Sequence, residues 1–343
     1  MPDDAMGEEA HVVGAPMDDR QGTWRHGLAR RLDAFVFTRG GFVLAPGPQD
    51  AVIPAARFFD RDYLRRAIAQ TVPALRGRDP LPGGDTDREM RIAVSRFSRR
   101  YASLLSAATL AGLANGIGLD VSPARCSAIV RPNGQYQLLL DGDDEVMLCA
   151  ERPASWPARG PVVRTVGDLR AYVWRRLYAD HLAPIYALAL EVVPVAPRLV
   201  WSSAAEWAGL VSDLAEQHLD PAAARPYVDD RRALLEAAAL PGVPGPNPLR
   251  DKVDWHPVPG SDPEAVQTRR HCCITFLLED RFGRLCNNCP YLAVEDRAAL
   301  VRAKRGVPVG APASPEEQAI MRRALELPVV ERAMRARRRQ RQR

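Results

Sequence analysis

The chain has 343 residues, enough for two domains or for one domain with appendages. Apolar residues make up 46% and charged residues 26%, which excludes wholesale disorder and a fibrous repeat. The formal charge is +5, but residues 335–343 carry six arginines and no acid, so the remainder sums to −1 and no nucleic-acid partner is expected.

Apolar stretches are interrupted by Arg, Asp or Pro well before the roughly 20 residues that a membrane-spanning helix needs. The start, Met1-Pro-Asp-Asp, lacks the basic residues and apolar run of a secretory signal, so a cytoplasmic address is expected. Thiols stay reduced there, and the six cysteines are not read as a disulfide framework.

Residues 1–22 are acidic, small and aperiodic, and read as a disordered leader. Between Trp24 and Val43 the apolar residues cluster loosely and no element is assigned. Asp60–Thr71 has helical spacing through Tyr63, Leu64 and Ile68. Thr86 and Glu89 form a capping box for a long helix, or two joined near Ser95–Arg99, which Gly116 and Gly118 stop. Asn133-Gly134, between Cys126–Val130 and Gln135–Leu140, signals a hairpin, and a third short strand is expected over Glu145–Ala150. Cys126 and Cys149 fall on these strands and read as small core residues.

Thr165 and Asp168 cap a helix running to about Val192. His181 lies near its apolar stripe and reads as a satisfied side chain beside the core, not a ligand. Pro194 and Pro197 are expected to break the chain before a helix over Trp201–Leu219. Pro221 and Pro226 frame that helix's exit, and a shorter helix covers Asp229–Ala239. Pro241–Pro248 is a stiff linker and the best internal boundary. Ser314-Pro315-Glu316-Glu317 opens a last helix to about Leu327.

The segment that carries chemistry runs from His271-Cys272-Cys273 to Cys286-Asn287-Asn288-Cys289-Pro290. Four of the six cysteines fall within these 18 residues from Cys272 to Cys289. Four soft thiolates at this range suit an iron–sulfur cluster or zinc, with inert thiols as the remaining reading. Zinc sites space their ligands by two to four residues, and adjacent residues chelate one ion poorly. A two-iron cluster is wider and accepts the Cys272-Cys273 pair more easily. No nucleotide, flavin, zinc-protease or serine-hydrolase fingerprint accompanies the cysteines.

Cys-Cys, a gap, then Cys-x-x-Cys-Pro resembles the FhuF-type ferric siderophore reductases. Arg269-Arg270 and Asn247-Pro248 match upstream, and the regions around Ser95-Arg-Phe, Gly118-Leu-Asp120 and Leu199-Val-Trp201 resemble the family's larger domain. The resemblance spans about Leu64 to Leu292, and only the cysteine segment is specific. The 12-residue gap from Ile274 to Leu285 is slightly longer than in the best-known members. Phe276 stands where many relatives have Tyr, and Ser202-Ser203 where they often have Gly-Asn. The last departure bears on substrate identity more than on the reaction.

The resemblance implies a 2Fe-2S cluster on Cys272, Cys273, Cys286 and Cys289, and one-electron reduction of a ferric siderophore. Its electrons are expected from a protein donor of ferredoxin or flavodoxin type. Arg269, Arg270, His271 and Trp201 are candidate substrate-binding residues. Their alternatives are surface charge for the first three and a core or rim aromatic for Trp201. The Arg-rich tail suits weak contact with an anionic membrane surface or an acidic donor, or is a solvated helix end.

The expected fold is a helix-rich α+β body with a small antiparallel sheet and a C-terminal iron–sulfur segment. Its parts are a leader (1–22), a substrate domain (23–246), a cluster-binding segment (247–300) and a helical Arg-rich tail (301–343). Two other function classes stay open. One is a zinc-stapled, non-enzymatic binding module in siderophore handling. The other is a siderophore synthetase relative, which would need an ATP-binding half for which this chain has no phosphate loop.

Overall fold

The computed structural model describes residues 23–35, 41–47, 50–72, 87–130, 136–141, 145–258, 265–275, 285–286, 288–304 and 314–325. The expected leader, the Asn133-Gly134 turn, the Asp280–Gly283 stretch of the cysteine loop and the arginine tail lie outside them.

Helix α1 (Trp24–Ala34) occupies part of the stretch left unassigned, burying Trp24, Leu28 and Leu32 at four-residue spacing. Strand β1 (Ala51–Pro54) leads through one 3₁₀ turn into α2 (Arg61–Gln70). Asp60 caps α2 by accepting a hydrogen bond from the Tyr63 N–H at 2.7 Å.

Helix α3 (Asp87–Ala114) is a single 28-residue piece. Two of its buried hydroxyls bond within the helix, Ser98 to the Val94 carbonyl and Thr109 to that of Leu105. The serine near the suspected joint is thus absorbed without a break. Gly116 follows at φ +78, a left-handed conformation suited to glycine.

The sheets differ from the sequence reading. Strand β2 (Ile117–Gly118) precedes the hairpin of β3 (Cys126–Val130) and β4 (Tyr136–Leu140). The hairpin takes β1 as its third strand, in the antiparallel order β1-β3-β4. Strand β5 (Met147–Cys149) joins β2 and β6 (Val162–Val163) in a second sheet, antiparallel to β2 and parallel to β6. Gly118 permits this pairing. A Cβ there would stand 2.9 to 3.0 Å from Leu169, Met147 and Tyr172.

A capping box of Thr165 and Asp168 starts α4 (Val166–Trp174), as expected. A π-helical stretch over Arg175–Leu182 continues it into α5 (Ala183–Val192). Within that stretch His181 is fully buried. It bonds the Tyr101 hydroxyl at 2.7 Å and the Val121 carbonyl. The two neighbouring helices begin earlier than the prolines suggested. Helix α6 (Pro197–His218) and helix α7 (Pro221–Glu236) both start with proline in the first turn, where a missing N–H costs nothing. Pro226 also lies inside α7, so neither of these two prolines ends an element.

Helix α6 packs along α3 and against α7. After α7 the proline-rich run is pinned by buried Asn247, which donates to the carbonyls of Leu234 at 2.7 Å and Ala237 at 3.1 Å. A second hairpin follows, β7 (Val253–Pro257) with β8 (Ala265–Arg269). The sequence reading had no strands here. The hairpin lies on α6 at Gly209, where a Cβ would stand 1.9 Å from the Gln267 amide nitrogen and 2.8 Å from the Trp255 ring.

Two helices complete the chain, α8 (Val294–Lys304) and α9 (Pro315–Leu325). The expected box at Ser314 and Glu317 is formed, at 2.8 and 3.1 Å. An Arg323–Asp296 ion pair at 2.6 Å ties α9 to α8. The buried core runs from the helical body through Cys273, Cys286 and Cys289 to Ile320. No helix among the described residues is long and apolar enough to cross a membrane.

Candidate metal centre

Strand β8 ends at Arg269, whose N–H donates to the Asn288 carbonyl at 3.0 Å and so ties the two cysteine pairs together. The chain then leaves extended geometry. Ile274 adopts φ +53, an uncommon conformation for a β-branched residue. Cys272 and Cys273 therefore sit at a bend and not on opposite faces of a regular strand. On the other side, the Cys289 N–H donates to the Cys286 carbonyl at 3.0 Å, closing the Cys-x-x-Cys turn.

The four sulfurs meet. Cys273 Sγ lies 3.3 Å from Cys286 Sγ. Cys272 is close enough to Cys273 and Cys289 for the thiols to shift one another's protonation. The Ile274 N–H donates to Cys272 Sγ at 3.3 Å, and Thr275 Oγ1 is 3.0 Å from Cys273 Sγ. Cys273, Cys286 and Cys289 are buried, and Cys272 is partly exposed. Hydrogen bonds from their neighbours hold the Cys273 and Cys289 thiols below the ordinary range. Cys273 is held down further by the charges of Arg269 and Arg99. Cys272 and Cys286, which share those hydrogen bonds, are pushed up. Among the described residues, no three or more His, Cys, Asp or Glu side chains are arranged to hold a metal ion.

A charged shell backs the sulfurs. Arg99 of α3 directs Nη1 at Cys286 Sγ, 3.5 Å away, and Nη2 at Glu206 Oε1, 2.7 Å away. Glu206 of α6 also accepts from Arg269 Nη1 at 3.0 Å and Asn288 Nδ2 at 2.7 Å. Glu206 and Arg269 are each 1% exposed. Ser95 Oγ of α3 donates to the Cys273 carbonyl at 2.8 Å, and the Trp207 indole to the Arg99 carbonyl at 3.1 Å. Arg297 of α8 bonds the Leu292 carbonyl with Nη2, while its Nη1 has no partner. Arg269 Nε and Nη2 are likewise buried without partners.

Those orphaned donors provide the fit test for an anionic group. A buried N–H without an acceptor costs about 1–3 kcal/mol. Two ferric ions, two sulfides and four thiolates sum to a dianion, which suits such donors. Four thiols beside such donors suit an anionic group at the sulfurs.

The other candidates are placed as follows. The Arg269 side chain points into this shell, not to solvent. Arg270 is exposed and paired with Asp254 at 2.8 Å. His271 is partly buried, its pKa lowered first by burial and then by Arg198, Lys252, Arg269 and Arg270. Trp201 packs edge-on against Tyr186 with ring centroids 5.1 Å apart. Cys126 and Cys149 are buried on β3 and β5, the first with its sulfur toward the Val121 and Ser122 carbonyls.

Sequence reasoning missed Arg99, Glu206, Asn288 and Arg297. Glu206 did leave a signal. It is a lone acid in the apolar run Ser203-Ala-Ala-Glu-Trp-Ala-Gly209, and a buried acid demands a partner.

No protein-family model matches the chain. No curated protein matches it either. Among solved structures, the chain is similar to aerobactin synthetase IucC from a hypervirulent pathotype of Klebsiella pneumoniae, at 15% identity and a TM-score of 0.37. The match covers 59% of this chain and 36% of that one, so the chain spans little more than a third of the synthetase. At this level of likeness the architecture rests on the chain's own elements.

Proposed function

We propose that this protein is a one-electron reductase of ferric siderophores that holds a 2Fe-2S cluster on Cys272, Cys273, Cys286 and Cys289. The observation that carries the reading is the convergence of these four sulfurs beside buried guanidinium groups with unused donors. The resemblance of the cysteine spacing to FhuF-type reductases supports the same reading.

When bound, the cluster supplies a single electron at a time. The substrate's hard oxygen donors favour ferric over ferrous iron, so one added electron loosens the chelate. The chain's own work is to hold and shield. The bend at Ile274 and the Cys286–Cys289 turn present the thiolates. Ser95 fixes the Cys273 backbone to α3, and the buried surroundings of three sulfurs keep water away. Cys272, the least enclosed of the four, marks the side where a donor and the chelate exchange electrons. His271 adjoins it, and the charge of Arg198, which acts on His271, suits an anionic chelate or an acidic ferredoxin- or flavodoxin-type donor. The proposed setting is the cytoplasm.

Anaerobic purification followed by iron, sulfide and zinc analysis and a visible spectrum tests the reading. Equal iron and sulfide, a coloured spectrum, and release of ferrous iron from a ferric hydroxamate or catecholate by the reduced protein are expected. A colourless, zinc-loaded protein would overturn it.

A further inference from the structure

We propose that Arg99, Arg269, Arg297 and Glu206 are positioning residues that set the reduction potential of the cysteine centre through opposed charges. The inference rests on the functional reading above and deepens it. Three cations reach the site from three elements that are distant in sequence: Arg99 from α3, Arg269 from β8 and Arg297 from α8. Among the described residues, Glu206 is the buried acid that opposes them, and it pairs with Arg99 and Arg269 but not with Arg297, which feels exposed Glu295 of its own helix instead. Glu206, Arg269 and Arg297 are buried.

Among the described residues, the buried charged side chains with unpartnered nitrogens are Arg269 and Arg297 alone. Both also act electrostatically on Cys289. A buried guanidinium nitrogen without an acceptor is costly, so these donors call for an acceptor beside them. The shell is therefore matched to an anion at the sulfurs.

Arg99, Arg269, Arg297 and Glu206 together are positive by two, and Glu295, being exposed, offsets this only weakly. That net charge compensates the dianion of the oxidised centre and leaves one uncompensated negative charge after an electron is added. In a buried site such charges are weakly screened. Removing a cation must disfavour the reduced state, and removing Glu206 must favour it. Net charge and hydrogen bonds to sulfur are established levers on the potential of such clusters. A purely structural shell would change stability without moving the potential in two directions.

The test uses the full chain, purified anaerobically, as wild type, R297Q, R297K and E206Q. Midpoint potentials are read by dye-coupled titration of the visible spectrum, with iron and sulfide content measured on each sample. R297Q should lower the reduction equilibrium constant on the order of tenfold, ~59 mV for a one-electron couple. R297K keeps the charge and should restore most of that loss. E206Q should move the equilibrium by a similar factor in the opposite direction. If E206Q fails to assemble, the R297Q and R297K pair decides alone. Clusters at wild-type content with unmoved potentials, or R297Q and E206Q shifting the same way, would overturn the inference. A wild type without iron and sulfide would overturn the functional reading instead.

Discussion

A cysteine's role here is set by its neighbours, not by its burial. Cys126 and Cys149 are as buried as Cys273, yet neither meets another thiol among the described residues. Serine at Cys272, Cys273, Cys286 or Cys289 should bleach or destabilise the proposed cluster, because a hard hydroxyl replaces a soft thiolate. Serine at Cys126 or Cys149 should leave the spectrum intact, and bleaching there would contradict the assignment. His181 gives a second prediction at this scale. Burial lowers its pKa from 6.5 to about 4, so the folded protein keeps it neutral where the unfolded chain takes up a proton. Its contribution is complete above pH 6.5 and is lost as pH falls toward 4, by about 1.4 kcal/mol per unit within that window. His181→Gln should flatten this part of the stability profile. It should also cost about 1–3 kcal/mol at neutral pH by unpairing Tyr101 and the Val121 carbonyl. Denaturant unfolding across pH 4–7 checks it, and identical slopes for both proteins would refute it. The cysteines and His181 were legible because local spacing marks them. Arg99 and Glu206 were not, since Arg99 reaches Cys286 across 187 positions and one sequence gives no sign of that pairing.

At the scale of elements, capping chemistry read well and proline read poorly. The Thr165–Asp168 and Ser314–Glu317 boxes need only residues three apart. Pro197 and Pro221 were taken as breaks, although the same residue is well suited to a first helical turn. What decides is whether an apolar face follows. In α6 it does from Val200 onward, against α3. Strand pairing was half legible. The β3–β4 hairpin is local, whereas β5 pairs with β2 about thirty positions earlier in the chain. The β7–β8 hairpin was missed because Val253–Pro257 and Ala265–Arg269 are short, polar runs without strong alternation. Its seat on α6 yields a prediction. Gly209→Ala places a Cβ against Gln267 and the rigid Trp255 ring, so the hairpin must shift outward. Overpacking of this kind costs roughly 1–3 kcal/mol. Because Arg269 ends β8 and pairs with Glu206 on α6, the variant should also lose iron faster to a chelator than wild type. A variant with unchanged unfolding midpoint and unchanged iron retention would show that the hairpin tolerates the displacement.

Across the whole molecule, the centre depends on pieces from both ends of the sequence. Ser95 and Arg99 supply one wall, Glu206 the second, and Arg297 a third from a helix that follows the last cysteine. Helix α9 holds that third wall through the Arg323–Asp296 pair and buried Ile320. The arginines of residues 335–343 lie beyond it and carry the chain's charge imbalance. Two truncations therefore have different expected outcomes. Ending the chain after Met334 takes the formal charge from +5 to −1 without touching α9. Cluster content and chemical reduction of a ferric chelate should stay at wild-type values. Turnover driven by an acidic protein donor should slow, mostly at low salt, since an exposed charge acts over a Debye length of about 8 Å at physiological ionic strength. Ending the chain after Ala313 removes α9 as well. That should lower the melting temperature and loosen α8, shifting the potential in the direction of R297Q. Equal donor-driven rates for the first truncation across a salt titration would leave the tail without a role in delivery. A wild-type potential in the second would show that α8 holds Arg297 in place unaided.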